Sequence, residues 1–184
     1  MPSITHGDGK LFYTDEGKGD CLILLHGFCE THRMWDDWKL KLLEVKLRLI
    51  CIDLPGFGDS SCTAQTIEEY ARAVEAVVVD AKLSKAVLVG HSMGGYVSLA
   101  IAEQRPAWLQ GFGLFHSHPF ADSAEKKEAR DRSIEFVERN GHLHYVKQLV
   151  PNFFAPERAG SYRHQQDRLI LFASRGPAAG VIHA

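Results

Sequence analysis

The chain has 184 residues, of which 45% are hydrophobic and 24% charged, the proportions of an ordinary globular domain with a real core. The 21 basic and 23 acidic residues are spread along it, and the net charge of −2 offers nucleic acid no basic surface. The N-terminus lacks the apolar run of a signal peptide, and no stretch approaches the ~18 apolar residues of a membrane span. We expect a cytoplasmic protein that binds neither membranes nor nucleic acid.

Strand and helix signals alternate over the first two thirds of the chain. Strand-like runs, most of them continuously apolar, predict strands at 11–14, 21–25, 48–52, 86–89 and 111–115. Helices are predicted between them at 34–46, 66–83 and 93–105. This alternation predicts an α/β fold with a doubly wound, mostly parallel sheet, whose strands have their carboxyl ends along one rim.

Two of these helices carry clear local signals. In the helix at 34–46 a predicted apolar face is formed by Trp35, Trp38, Leu42 and Val45. Thr66 begins the next helix, and carboxylates in its first turn suit the helix dipole.

The pattern changes after residue 120. A charged helix with a thin apolar face is predicted at 122–140, followed by helices at about 142–149 and 160–174. Breaks are predicted at Pro151, Pro156 and Gly176-Pro177. Since no strand signal returns, we assign residues 1–120 to the core and residues 121–184 to a helical cap over the rim of the sheet.

The four cysteines show neither a paired CxxC arrangement nor zinc-like spacing to histidine; they are Cys21, Cys29, Cys51 and Cys62. We expect them to be structural free thiols rather than a disulfide framework. No metal site and no cofactor are predicted.

The strongest chemical signal is Gly90-His91-Ser92-Met93-Gly94, which lies directly between a predicted strand and a predicted helix. G-x-S-x-G in this context is a nucleophile elbow, a tight turn that raises a serine hydroxyl above the rim of the sheet at a helix N-terminus. Ser92 is therefore the predicted nucleophile. The alternative is a glycine-rich turn that only joins strand to helix.

Two further turns reach the same rim. His26-Gly27-Phe28 follows the strand 21–25, and the backbone N–H groups of Phe28 and Met93 are predicted to form an oxyanion hole. His26 itself is expected to be a buried structural histidine. The loop from Asp53 to Ser60 is expected to shape the pocket wall, with catalytic roles for Asp53 or Asp59 as the less favoured alternative.

Taken in order, His26-Gly27-Phe28, Trp35, Asp53-Leu-Pro-Gly-Phe-Gly-Asp-Ser60 and Gly90-His-Ser-Met-Gly-Gly95 resemble the α/β-hydrolase family. The resemblance covers about residues 10–120 and is greatest to its esterase, haloperoxidase-like and dehalogenase-like branches. It implies Ser92 as nucleophile, an oxyanion hole from Phe28 and Met93, and a helical cap. A carboxylate nucleophile, as in dehalogenases, is disfavoured because Ser92 occupies that position.

The resemblance also implies an acid and a histidine on later strands, in the order nucleophile, acid, base. No strand, and therefore no such acid or histidine, is predicted after residue 120, so neither is assigned and the chain is expected to be a C-terminal truncation. His183 does not match the family position, and Asp122 is the first carboxylate after the strand 111–115. His116 or His118 could act as a substitute base. Without a base we expect this chain to be inactive.

The expected function is thus hydrolysis of a small ester or related acyl substrate, with a cofactor-free haloperoxidase as a variant. The alternative from another class is a non-catalytic binding protein on the same scaffold. An apolar pocket is expected to be lined by Trp108, Phe120, Phe136, Phe153 and Phe154. The strand 111–115 would lack a neighbour, so self-association through this open sheet edge is also expected.

Overall fold

The computed structural model describes residues 2–174, 176 and 178–184. Six strands form one sheet: β1 (Ser3–His6), β2 (Gly9–Gly17), β3 (Cys21–Leu25), β4 (Arg48–Ile52), β5 (Ala86–His91) and β6 (Leu109–Phe115). In this described part of the chain, seven α-helices accompany them: α1 (Asp36–Glu44), α2 (Ile67–Asp80), α3 (Met93–Gln104), α4 (Ala124–Asn140), α5 (His142–Leu149), α6 (Arg163–Ala173) and α7 (Ala178–His183). The break expected at Gly176-Pro177 involves Pro177, which lies outside the described residues.

The sheet order is β1-β2-β4-β3-β5-β6. The pairs β4–β3, β3–β5 and β5–β6 are parallel, whereas β1–β2 and β2–β4 are antiparallel. The expected α/β fold with a mostly parallel sheet is confirmed, and the sheet is mixed at one side.

The sequence prediction was weakest at that antiparallel side. β1 was not predicted, and β2 is longer than the expected strand 11–14. Ion pairs, rather than burial, stabilise the polar end of β2: Asp15 pairs with Arg48 at 2.6 Å and Glu16 with Lys39 at 2.7 Å. A strand edged with carboxylates lacks the apolar pattern on which such predictions depend.

The central strands β3 and β4 are buried on both faces of the sheet. One face packs side chains such as Ile23, Ile52 and Leu88 against Val74 of α2 and Val97 of α3. The opposite face packs a smaller cluster of Leu24, Trp35 and Cys51, with Leu42 of α1 beside it. Successive strand residues therefore serve opposite layers, which is the arrangement of a doubly wound sheet.

The predicted apolar face of the first helix was partly wrong. A 3₁₀ turn precedes α1, and Trp35 at its end is buried. Trp38 and Val45, by contrast, are 53% and 68% exposed. The second helix begins as expected, because the Thr66 side chain accepts a hydrogen bond from the N–H of Glu69 at 3.2 Å.

The four helices after residue 120, α4 to α7, pack around a small apolar cluster. Its buried members are Cys29, Val137, Val146, Val150, Ala173 and Val181. Cys29 is the member contributed by the loop after β3, so this cluster joins the helices to the rim of the sheet. Among the described residues no helix combines the length and apolar character that a membrane crossing requires.

Candidate active site

Ser92 lies in a strained turn between β5 and α3, with φ +48° and ψ −113°. Such a conformation costs a non-glycine residue about 1–3 kcal/mol and persists only where its surroundings enforce it. Here the end of β6 does so: Ser92 donates its N–H to the Phe115 carbonyl at 3.0 Å. Its carbonyl accepts a hydrogen bond from the Ser117 hydroxyl at 2.8 Å.

Gly90 explains why the turn needs small residues. A Cβ at this position would lie 2.1 Å from the carbonyl oxygen of Gly94, which belongs to the first turn of α3. The strand and the helix can therefore approach closely enough to form the turn only with glycine at position 90.

The second turn, after β3, is anchored by His26. This side chain is fully buried, donates from Nδ1 to the Gly27 carbonyl at 2.7 Å and accepts the N–H of Leu54 at Nε2, 2.9 Å away. Burial lowers the pKa of His26 and so favours the neutral ring. Both ring nitrogens are occupied, which agrees with the structural role expected for this histidine.

The N–H groups of Phe28 and Met93 donate to no backbone or side-chain acceptor in the described part of the chain. Met93 is the first residue of α3, where helical N–H groups have no intrahelical partner and the dipole favours negative charge. Phe28 and Met93 both line the same cavity as Ser92. The structure thus brings together the three positions that the sequence analysis assigned to nucleophile and oxyanion hole.

This cavity has a volume of about 890 Å³ and lies between the rim of the sheet and the C-terminal helices. Besides Ser92, Phe28 and Met93, its wall contains Glu30, Ile67, His91, Tyr96, His116, Phe120, Ala121, Asp122, Arg130, Tyr145, Leu149, Phe153, Phe154, Leu169 and Ala184.

The wall is mainly apolar and aromatic, as in pockets for small organic ligands. Of the five aromatic residues expected to line it, Phe120, Phe153 and Phe154 do so. Trp108 packs instead beside the main core, and Phe136 lies against the rings of His144 and Tyr145.

The structure does not bring Asp53 or Asp59 to Ser92. The buried carboxylate of Asp53 accepts the backbone N–H and the ring Nδ1–H of His32, at 2.6 and 2.8 Å, and the backbone N–H of Asp59 at 2.8 Å. Burial acts to raise the pKa of Asp53, but the hydrogen bonds and the neighbouring His26 and His32 together lower it. The Asp53 carboxylate therefore stabilises the loop from Asp53 to Ser60 through these hydrogen bonds.

Of the two histidines considered as substitute bases, only His116 lies in the cavity wall. Its backbone is left-handed, with φ +47°, and its ring lies 6.1 Å from that of His91. His118 lies outside the wall, with its ring 5.8 Å from Tyr96 and its Nδ1 accepting the N–H of Phe120. Within residues 2–174, 176 and 178–184, no side chain hydrogen-bonds the Ser92 hydroxyl.

Glu30 is a site residue that the sequence analysis missed. It is buried, lines the cavity and accepts at Oε2 both the Gly27 N–H and the His91 Nδ1–H, each at 2.7 Å. The sequence offered one signal for this role, namely a carboxylate two residues after the His26-Gly27-Phe28 turn. Nothing in the sequence indicated that Glu30 would contact His91, which belongs to the Gly90–Gly94 motif.

The four cysteines are buried free thiols, as expected. Burial raises the pKa of Cys29 to about 12 and that of Cys51 to about 11, so these thiols are unreactive near neutral pH. Across the described ranges, no group of three His, Cys, Asp or Glu side chains is arranged to hold a metal ion.

A doubly wound sheet with a strained serine turn at its rim defines the architecture of this protein, and comparison with known proteins supplies its family. A family model described as alpha/beta hydrolase fold matches residues 20–133, more than half of the chain. The chain belongs to the α/β-hydrolase family.

Its relatives carry several names. It is 34% identical over 145 residues to the pimeloyl-[acyl-carrier protein] methyl ester esterase of Vibrio atlanticus, covering 78% of this chain and 52% of that protein. It is 36% identical over 98 residues to a non-heme haloperoxidase of Rhodococcus erythropolis, covering 52% of this chain and 36% of that protein.

The structure is similar to that of a thermophilic esterase from Thermogutta terrifontis, with a TM-score of 0.87 and 30% sequence identity. The match covers 96% of this chain and 65% of the esterase. The chain therefore spans less than two thirds of the length of these relatives.

Proposed function

We propose that this chain is the nucleophile-bearing part of a serine ester hydrolase. The observation that carries the proposal is the meeting of three groups at one cavity: the strained Ser92 and the N–H groups of Phe28 and Met93, which have no acceptor among the described residues. In the proposed reaction the Ser92 Oγ forms a bond to the carbonyl carbon of an ester, and the carbonyl π electrons move to oxygen. That oxyanion would accept hydrogen bonds from the two N–H groups. The Ser92 hydroxyl proton would pass to solvent water in this step. When the oxyanion collapses, the ester C–O bond breaks, the alcohol leaves with a proton taken from water, and a second water molecule hydrolyses the acyl-Ser92.

The substrate would be a small ester or related acyl compound, since the cavity wall is mostly apolar and aromatic. We propose that α4 to α7 act as the cap of this site, with residues 1–120 as the core and 121–184 as the cap. Phe153, Phe154 and Leu169 would supply the cap's share of the pocket. The proposal implies neither cofactor nor metal. Cytoplasmic location is a further prediction, to be tested by fractionating cells that express a tagged chain.

We also propose that the 184 residues by themselves turn over esters very slowly. A serine hydroxyl must lose a proton as it attacks, and no described side chain is hydrogen-bonded to Ser92 Oγ to accept it. Loss of a triad member leaves about 10³–10⁴-fold catalysis over water. Rapid turnover of a p-nitrophenyl ester that disappears in Ser92→Ala would contradict this proposal.

A fluorophosphonate probe tests the assignment of the nucleophile. We expect slow covalent labelling, located by mass spectrometry on the peptide that contains Ser92, and complete loss of labelling in Ser92→Ala. Ser133→Ala is the matched control, because Ser133 is a partly exposed serine of α4 far along the chain from Ser92. Labelling of other serines with Ser92 unmodified would contradict the proposal.

Among the described residues no side chain hydrogen-bonds the Ser92 hydroxyl, and this favours a second candidate, a non-catalytic binding protein on the hydrolase scaffold. In that case a small apolar ester would bind in the cavity without modifying Ser92. Reversible binding seen by calorimetry, together with the absence of probe labelling over many hours, would favour this candidate over the hydrolase.

Self-association through β6 is proposed as well. Within the described residues β6 pairs only with β5, and Val87 and Phe112 beside this edge are 40% and 45% exposed. A Cβ built on Gly111 would meet nothing within 4 Å, so the strand is uncovered at this position. Unpaired strand edges with exposed apolar side chains favour pairing with another chain.

A further inference from the structure

We infer that Glu30 is a positioning residue that sets the spacing between the two halves of the oxyanion hole. This inference rests on the proposed function. Glu30 does not touch the reacting atoms; it acts through Gly27 and His91. One oxygen, Oε2, accepts the backbone N–H of Gly27 and the ring Nδ1–H of His91, each at 2.7 Å.

These two donors belong to the two segments that must be aligned. Gly27 directly precedes Phe28, and its carbonyl carbon shares a peptide plane with the Phe28 N–H. His91 directly precedes Ser92 and is the last residue of β5. A single carboxylate oxygen therefore connects the turn after β3 to the turn after β5, through the backbone of the residue that precedes Phe28 and the side chain of the residue that precedes Ser92.

The contact lies at the site itself. A Cβ built on Gly27 would lie 2.7 Å from Glu30 Oε2, 2.7 Å from His91 Nδ1 and 3.1 Å from Ser92 Cβ. Glycine at position 27 leaves the room in which these three groups meet. Any larger residue there would push the carboxylate, the imidazole or the nucleophile apart.

The turn that Glu30 closes is strained and needs such support. Cys29 has φ +59°, and the N–H of Glu30 donates to the Gly27 carbonyl at a long 3.2 Å. A non-glycine residue in the left-handed region persists only where surrounding contacts enforce it. Cys29 is held by the apolar cluster of the C-terminal helices, and Glu30 provides the polar contact on the side of the elbow.

The chemistry of Glu30 also favours this role. Its side chain is 9% exposed, and a buried carboxylate is unstable unless hydrogen-bond donors replace water. An ionised carboxylate accepts only, so Nδ1 of His91 carries the hydrogen and the imidazole ring is held in one orientation. Hydrogen bonds to a charged acceptor are shorter and stronger than neutral ones, which suits an element that must stay rigid during the reaction.

The test separates the chemical step from binding. For fluorophosphonate labelling of Ser92, kinact reports the step that uses the oxyanion hole and KI reports reversible binding of the probe. Removing one oxyanion donor typically costs about 10²–10³-fold. We expect kinact to fall about tenfold or more in Glu30→Ala, and less in Glu30→Gln, whose amide oxygen can still accept both hydrogen bonds. KI should stay within about twofold in both variants. This is well below a tenfold change in KI, which would correspond to ~1.4 kcal/mol of binding free energy.

Glu16→Gln is the matched control, because Glu16 also accepts a 2.7 Å hydrogen bond, from Lys39, but on β2 away from the cavity. It should leave kinact unchanged. Thermal unfolding of every variant identifies a loss of folding, and if Glu30→Ala fails to fold, Glu30→Gln carries the test. A kinact within twofold of the wild type in a folded Glu30→Ala would overturn the positioning role.

Amide hydrogen exchange provides a second test, which does not depend on covalent labelling of Ser92. The Gly27 amide should exchange at least about tenfold faster in Glu30→Ala than in the wild type, since its hydrogen bond is lost. An unchanged exchange rate would overturn the inference. A wild-type Ser92 that is never labelled would instead overturn the proposed function, and with it the catalytic meaning of Glu30.

Discussion

The sheet region (residues 2–120) and the C-terminal helices (α4 to α7) are stabilised in different ways. The sheet region fully buries large side chains such as Leu25, Ile52 and Tyr70. The C-terminal helices bury small ones, and in the whole length of α4 only Val137 is buried. Burial of a large apolar side chain contributes about 1.5–3 kcal/mol, so most of the folding free energy belongs to the sheet region.

This difference teaches how the candidate site divides its tasks. The proposed reacting groups stand on strained turns: Ser92 has φ +48°, and Cys29, the neighbour of Phe28 in the turn after β3, has φ +59°. Both turns directly follow strands of the sheet. The C-terminal helices contribute cavity wall. A thinly packed wall can open at low cost in free energy, whereas the turns must not move.

The largest expected effect contrasts a carboxylate of the sheet region, Asp53, with Asp122, which pairs with Arg130 of α4; the pKa of both is lowered. Asp53 is buried and accepts three hydrogen bonds, whereas Asp122 is partly exposed and its pKa is lowered mainly by the hydrogen bond from Arg130. We expect Asp53→Asn to lower the free energy of unfolding by about 3–5 kcal/mol. Asp122→Asn should change it by less than about 1 kcal/mol. Urea denaturation measures both.

The pH dependence gives the sign for Asp53. Since its pKa is lower folded than unfolded, the unfolded state takes up the proton first as pH falls. The stability difference between wild type and Asp53→Asn should therefore be complete above the unfolded value of about 3.9 and shrink below it. A difference that grows with acidification would contradict this assignment.

The next effect compares two strand glycines within the sheet region. Gly90→Ala would place a Cβ 2.1 Å from the Gly94 carbonyl oxygen, whereas Gly111→Ala meets nothing within 4 Å. We expect a loss of about 1–3 kcal/mol or more for the first. The second should stay within about 0.5 kcal/mol of the wild type. Thermal unfolding followed by circular dichroism checks the pair, and equal losses would show that the turn at Ser92 is not specially constrained.

A smaller effect tests the two regions with the same substitution. Val97 in α3 and Val146 in α5 are both fully buried. Val97→Ala should lower the global free energy of unfolding by about 1–2 kcal/mol, as expected for the methyl groups removed. Val146→Ala should mainly speed amide exchange in α5 and α6. A full global loss in Val146→Ala would show that the two regions unfold as one unit.

The smallest effect concerns association between chains. Phe112→Lys adds a charge beside the free edge of β6, and Leu171→Lys does the same at an exposed site on α6. We expect only Phe112→Lys to lower the average mass in sedimentation equilibrium at high protein concentration. A wild-type chain that stays monomeric at every concentration would refute association through β6.

Much of the sheet was predictable because its central strands are buried on both faces. The strands 21–25 and 48–52 were predicted with their observed bounds. At the margin, where β2 replaces burial with the Asp15–Arg48 and Glu16–Lys39 ion pairs, prediction was incomplete. A pattern of apolar residues indicates which residues are buried. It does not reveal a strand that is stabilised by ion pairs between residues distant in sequence.

The sequence by itself determined the family and the residues of the tight turn at Ser92, because the glycine spacing around Ser92 is a local steric requirement. Only the tertiary structure decided that Asp53 is committed to His32, that His116 and not His118 faces the cavity, and that Glu30 meets His91. Each of these facts depends on distances between strands that are far apart in the chain. A carboxylate's role is set by the donors around it, and those donors come together only when the sheet forms.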